Sequence, residues 1–229
     1  MNERVGTGLN VAQLRGLIEM ETPRRRGAMV YRRVVKRAMD VALVVAVAVP
    51  TLAILVPLMA IIALDGRSPI YVQKRLGRGG QVFRMFKLRS MVADADQILD
   101  TYLARNPEAR AEWDRTQKLK NDPRITFFGA FIRKTSLDEL PQLMNVLLGD
   151  MSLVGPRPMM VAQKELYPGA AYYEMRPGIT GLWQVSERNE SSFSERASYD
   201  TAYFRQMSLG TDLKVMAQTV KVVFRATGY

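Results

Sequence analysis

From Val41 to Leu64 the chain runs for 24 residues without a charged side chain, and nearly all of them are apolar. A soluble core helix rarely sustains such a run, whereas crossing a bilayer core takes about 20 apolar residues. It lies too far from residue 1, and is too long, for an ordinary cleavable signal. It reads as a membrane segment. Arg24, Arg25, Arg26, Arg32, Arg33, Lys36 and Arg37 precede it, with no acid between Thr22 and Met39. Such cations suit the cytoplasmic face of an anionic bilayer, each adding about 1 kcal/mol of surface attraction. Pro50 and Pro57 lie inside the run; each removes a backbone donor and crowds the preceding turn, so a kink is expected. After Asp65 the sequence turns basic again at Lys74, Arg75 and Arg78. Positive charge on both flanks favours a hairpin that enters and returns on one face over a true span. Asp40, at the membrane edge, is expected to pair with Lys36 and Arg37.

Around this segment the chain divides into a mobile tail over 1–28, a basic flank with the membrane helix over 29–66, and one domain over 67–229. Ile70–Gln73 and Val82–Leu88 read as strands joined by the turn Gly77-Arg78-Gly79-Gly80. Met91–Arg105 reads as a helix, Asn106-Pro107 starts another, and Asn121-Asp122-Pro123 breaks the chain. Leu140–Leu148 is a helix stopped by Gly149. Ser192–Met207 and Asp212–Ala226 are the last helices, and the final one has an apolar face that packs on the core or lies on lipid. The fold class is α+β, mainly helical with a small β-hairpin, with an N-terminal re-entrant membrane helix and interfacial helices.

The chain has no cysteine and no histidine. That excludes disulfides, thiolate metal sites, cysteine nucleophiles and every Ser-His-Asp arrangement. Chemistry must run on carboxylates, Lys, Arg, Tyr or hydroxyls, and a metal would be a hard, oxygen-bound ion. The net charge of +11 calls for an anionic partner. The basic residues are spread over turns without an aromatic ladder, which argues against nucleic acid.

Two adjacent acids, Asp138 and Glu139, follow Arg133 and Lys134. One reading is structural: Ser136 and Glu139 have capping-box spacing and would start a helix. The other is a reaction centre. Gly155-Pro156-Arg157-Pro158 and Arg176-Pro177-Gly178-Ile179-Thr180-Gly181 each fix an arginine on a stiff turn, a device that pre-organises phosphate contacts.

Taken in order, several motifs form one pattern: Lys36-Arg37-x-x-Asp40, the Pro-broken run, Phe86-Lys87-Leu88-Arg89-Ser90-Met91 and Leu137-Asp138-Glu139-Leu140-Pro141-Gln142. The two arginine turns and Trp183-Gln184-Val185 complete it. This order resembles the bacterial monotopic phosphoglycosyl transferases, the sugar transferases that start exopolysaccharide and glycan assembly on a polyprenyl phosphate carrier. The resemblance covers residues 34–229.

It implies transfer of hexose-1-phosphate from a UDP-hexose to undecaprenyl phosphate, with release of UMP and a requirement for Mg²⁺, Mn²⁺ being an alternative. It implies Asp138 as the nucleophile that forms an aspartyl-phosphosugar, and Glu139 as its partner acid, both close to the metal. Lys87, Arg89, Arg133, Arg157 and Arg176 are expected around the phosphates. Lys36, Arg37, Asp40, Pro50 and Pro57 belong to the re-entrant membrane helix. The location implied is the bacterial inner membrane, on an anionic phospholipid bilayer with the catalytic domain on the cytoplasmic face, and a homodimer is one option for assembly. Glucose and galactose are the leading hexoses.

Three departures from the family pattern stand out. No serine precedes either membrane proline, the usual Lys-Phe-Arg is Lys87-Leu88-Arg89, and Glu187 stands before Arg188-Asn189 where glycine is common. The competing reading is a membrane-anchored basic interaction protein in which the Asp-Glu pair is only a helix cap. A transferase that moves the sugar without its phosphate is a second enzyme reading.

Overall fold

The computed structural model describes residues 30–92, 94–116, 119–186 and 195–224. The tail, the Glu187-Arg188-Asn189 stretch and the expected helix start at Ser192 lie outside these residues.

A π-helical turn, Tyr31–Val35, leads directly into the long helix α1 (Lys36–Ile62). The helix continues through both prolines and closes in a 3₁₀ turn, Ala63–Asp65, with Gly66 in the left-handed conformation at φ 77°. Glycine adopts that backbone without a Cβ penalty, which is why the helix stops there. Only 6 % of the most apolar window of this helix is buried, and the helix is long and apolar enough to cross a membrane. Most of its apolar surface therefore does not serve as a protein core, buried Val44 being an exception.

The hairpin forms as the turn residues require. Strands β1 (Ile70–Leu76) and β2 (Val82–Leu88) flank Arg78–Gly80, where Gly79 and Gly80 both have positive φ. Three helices follow: α2 (Ala95–Arg105), α3 (Pro107–Thr116) with proline at its first position, and α4 (Phe127–Lys134). Met91 was expected to begin a helix. Instead it bridges to Ile125 in antiparallel fashion, and α2 starts at Ala95. Then come α5 (Gln142–Leu148), β3 (Ser152–Val154), β4 (Met159–Met160), β5 (Gly178–Thr180), α6 (Leu182–Val185), α7 (Arg196–Gln206) and α8 (Leu209–Phe224). Strand β1 lies between β2 and β4 in one sheet, and β3 pairs with β5 in parallel.

The described residues form two compact units. The first comprises those up to Ala48 with Gln73–Met85 and Gln142–Val220; the second comprises Val49–Val72, Phe86–Pro141 and the residues from Lys221.

The first unit has three apolar clusters, built on Val154, Tyr203 and Val215, on Val44, Met85 and Met151, and on Leu76, Met159 and Tyr172. Buried charges tie its elements together. Asp212 is fully buried and accepts hydrogen bonds from Lys36 Nζ at 2.5 Å, Tyr31 Oη at 2.6 Å and Tyr203 Oη at 2.6 Å. Asp40 accepts from Ser152 Oγ at 2.7 Å and Leu153 N at 3.1 Å. The expected pairing of Asp40 with Lys36 and Arg37 is therefore corrected. Lys36 binds Asp212, while Arg37 donates to the carbonyls of Val146 and Leu147 at the end of α5. A carboxylate exposed by only 1 % needs several donors, and partners distant in sequence supply them.

Candidate active site

The site belongs to the second unit and is set by a close backbone approach. Gly129, in the first turn of α4, lies against the carbonyl of Ser90, just past the end of β2. A Cβ at this glycine would meet Ser90 O at 1.9 Å. Thr126 caps the helix by accepting from Gly129 N at 2.8 Å, and its own N–H donates to Ser90 O at 3.1 Å. The β2 exit and α4 are thus tied backbone to backbone.

Helix α4 delivers Arg133 and Lys134 in its last turn, then ends abruptly. Thr135 Oγ1 donates back to Phe131 O at 2.9 Å, and Ser136 takes up a left-handed φ of 56°. A 3₁₀ turn, Leu137–Glu139, follows and carries both acids. The capping box expected from Ser136 and Glu139 does not form: the serine side chain makes no cap, and its backbone is left-handed where an N-cap is extended. Ser136 follows the C-cap Thr135 and leads into the 3₁₀ turn through its backbone alone, its carbonyl accepting from Glu139 N at 3.2 Å. The interaction-protein reading loses the cap on which it rested.

Asp138 is buried, with 7 % of its surface exposed. Lys87, from β2, places Nζ 3.0 Å from Glu139 Oε1 and 3.6 Å from Asp138 Oδ2. Burial holds the Asp138 carboxyl above the ordinary carboxylate range. Lys87 and Arg133 pull it down, and the Glu139 charge pushes it further up. The result is a poorly hydrated carboxyl group with cations within reach. Arg133 Nε is buried and makes no hydrogen bond to the protein, a donor suited to a phosphate oxygen.

Among the described residues no group of three or more acidic side chains could hold a metal ion. Mg²⁺ does not need one, because it commonly takes one or two carboxylates and completes its shell with substrate phosphates and water. Asp138 and Glu139 fit that donor set.

The remaining candidates fall into two groups. Arg89, in the same unit, directs its guanidinium to Asp65 and to backbone carbonyls. Arg157 and Arg176 belong to the first unit. There Gly155, Gly178 and Gly181 let their two turns touch through bare backbone: a Cβ on Gly178 would sit 2.1 Å from Gly155 N, and one on Gly181 would sit 2.0 Å from Gly155 O. Strands β3 and β5 pair in register Ser152↔Gly178 and Val154↔Thr180 through this contact. Arg176 Nε donates to Gly149 O at 2.8 Å, and burial, then Arg37 and Arg78, lower its pKa. Burial lowers the pKa of Arg196, and Arg157 adds a smaller push the same way; the Arg196 guanidinium stacks over Trp183 at 5.6 Å and Tyr172 at 5.9 Å.

Residues 31–226 match the family model described as bacterial sugar transferase. The chain belongs to the bacterial sugar transferase family. It is 47 % identical over 198 residues to the UDP-galactose-lipid carrier transferase of Erwinia amylovora, covering 86 % of this chain and 42 % of that protein. To the undecaprenyl-phosphate galactose phosphotransferase of Salmonella typhimurium it is 46 % identical, again covering 86 % of this chain and 42 % of that one. With the exopolysaccharide production protein ExoY of Rhizobium meliloti it shares 46 % identity over 72 % of this chain and 74 % of that protein. The chain thus spans less than half the length of the first two relatives.

The structure brings together the acids, Lys87 and Arg133 that the sequence singled out; the sequence pattern misassigned Ser136 as a helix start and did not mark Gly129. Glycine at the third position of a Phe-Phe-Gly-Ala-Phe helix, where alanine is the better helix former, was the available signal.

Proposed function

We propose that this chain transfers hexose-1-phosphate from a UDP-hexose to undecaprenyl phosphate and so initiates polysaccharide assembly. The observation that carries the reading is the buried Asp138 beside Glu139 under Lys87 and Arg133, in a chain without histidine or cysteine. The relatives' names, with galactose in two of them, support the substrate class.

In the first step an Asp138 carboxylate oxygen attacks the phosphorus that bears the sugar. The bond from that phosphorus to the bridging oxygen breaks, UMP leaves with the electron pair, and an aspartyl-phosphosugar forms. In the second step a phosphate oxygen of undecaprenyl phosphate attacks the same phosphorus. The acyl–oxygen–phosphorus link breaks and restores the carboxylate. Attacking and leaving groups are all anionic oxygens, so neither step needs a histidine base. Lys87 and Arg133 offset the repulsion between the carboxylate and the diphosphate. A Mg²⁺ ion bound to Asp138 and Glu139 would add further neutralisation of phosphate charge.

In this reading α1 enters and returns on the cytoplasmic face of the inner membrane, where polyprenyl phosphate and UDP-sugar can both arrive. The test is incubation of the bilayer-embedded protein with radiolabelled UDP-galactose or UDP-glucose and undecaprenyl phosphate. UMP and a labelled lipid are expected; release of UDP would replace this reaction with transfer of the sugar alone.

A further inference from the structure

Arg89 stands two residues beyond Lys87, within a motif expected to bind phosphate. Its guanidinium is already committed. Nη1 and Nη2 grip Asp65 Oδ2 and Oδ1 at 2.6 Å each, Nη2 also donates to Ile62 O at 2.9 Å, and Nε donates to Ser68 O at 2.9 Å. Four bonds from five N–H groups leave little for a ligand. Its backbone N–H donates to Pro69 O at 2.8 Å. Every one of these acceptors lies at the end of the membrane helix or in the turn that leaves it.

The end of an α-helix exposes carbonyls without intrahelical partners and carries partial negative charge, so a cation placed there is favourable. Only a planar fork can hold both carboxylate oxygens and two carbonyls at once; a lysine ammonium cannot. Gly66 makes the turn tight enough for Asp65, Ser68 and Ile62 to face one guanidinium.

We infer that Arg89 is a positioning residue, which together with Asp65 fixes the exit of the membrane helix to the strand presenting Lys87 to Asp138. The clamp sets where the membrane segment holds the lipid acceptor relative to the nucleophile. The second step depends on it, whereas the first step, with a soluble donor, does not. This inference rests on the transfer proposed above.

The experiment uses the full chain in bilayer nanodiscs, as wild type, Asp65→Asn, Arg89→Gln and the double variant. Two rates are read: exchange of labelled UMP into UDP-hexose without lipid, which reports the first step, and transfer to undecaprenyl phosphate. Hydrogen exchange at the Gly66 and Arg89 amides is followed in parallel and needs no activity. Asp65→Asn should keep UMP exchange within about twofold while transfer falls by on the order of ten- to a hundredfold. Arg89→Gln should lose as much transfer, the double variant no more than either single one, and both amides should exchange faster in every variant. If Arg89→Gln abolishes UMP exchange while Asp65→Asn leaves both rates at wild-type level, Arg89 is a phosphate ligand and the inference fails. Additive losses, or unchanged protection of the two amides, overturn it equally. A wild type that neither exchanges UMP nor transfers sugar counts against the proposed reaction, and the amides then judge the clamp alone.

Discussion

Replacing Gly129 by alanine sets two effects against each other. Alanine is the better helix former by about 1 kcal/mol, so propensity alone predicts a more stable α4. The new methyl, however, would lie 1.9 Å from Ser90 O and 2.7 Å from Ser90 C, where ordinary contact begins at 3.4 Å. Both neighbours are backbone and cannot rotate aside, so α4 and the β2 exit must part by about 1.5 Å, on the contact limit just given. Overpacking of this kind costs up to about 3 kcal/mol, leaving a net loss of about 2 kcal/mol after the helix gain. For a chain of this size that lowers Tm by about 4–8 °C. The same displacement moves Asp138 away from Lys87, and an error of about 1 Å at a reacting centre costs on the order of a hundredfold in rate. UMP release and thermal unfolding in nanodiscs measure both effects. Gly210→Ala, in α8 with nothing within 4 Å of the added carbon, is the control and should leave activity unchanged and Tm unchanged or slightly higher. A Gly129→Ala protein as stable and as active as wild type would refute the claim that this backbone contact positions the acid.

Three further outcomes are expected. Burial raises the Asp138 carboxyl, so the folded chain keeps that proton to higher pH than the unfolded chain. Its contribution to stability is therefore full below the ordinary carboxylate pKa and is lost as pH rises through the folded value, while activity appears over that same rise. Asp138→Asn should lower turnover by at least about a thousandfold yet leave Tm at neutral pH unchanged or higher; a large fall in Tm would contradict the burial argument. Lys87→Met should slow UMP release by on the order of a hundredfold or more and move the acid limb of the pH–rate profile upward, because Lys87 lowers the Asp138 pKa. A limb that stays put or moves down would show that Lys87 does not act on Asp138. Asp212→Leu strips Lys36, Tyr31 and Tyr203 of their shared acceptor and should destabilise the protein by about 3–5 kcal/mol in denaturant unfolding.

Much of this was legible in the residues because it is local. A 24-residue uncharged run, glycine-rich turns and a helix stopped by Gly149 depend on nearest neighbours and on hydration. Asp138 and Glu139 stood out because the chain offers no histidine or cysteine to share their work. What escaped depends on residues brought together across long stretches of chain. Asp40 finds Ser152, and Lys36 finds Asp212, since a buried charge takes whichever donors the fold supplies. Ser136 looked like a helix start because its spacing to Glu139 ignores the helix ending two residues before it, at Lys134. Arg89 looked like a phosphate ligand because its motif says nothing of the helix end 24 residues upstream that occupies it.

The proposed two-step transfer requires that Asp138 itself carry the phosphosugar. Mass spectrometry of the protein quenched after mixing with UDP-hexose, in the absence of lipid acceptor, tests it most directly. A mass increase of one hexose phosphate is expected, located on the peptide that contains Asp138, formed together with UMP and discharged on addition of undecaprenyl phosphate. Lipid product formed with no such adduct, or an adduct that persists in Asp138→Asn, would contradict it.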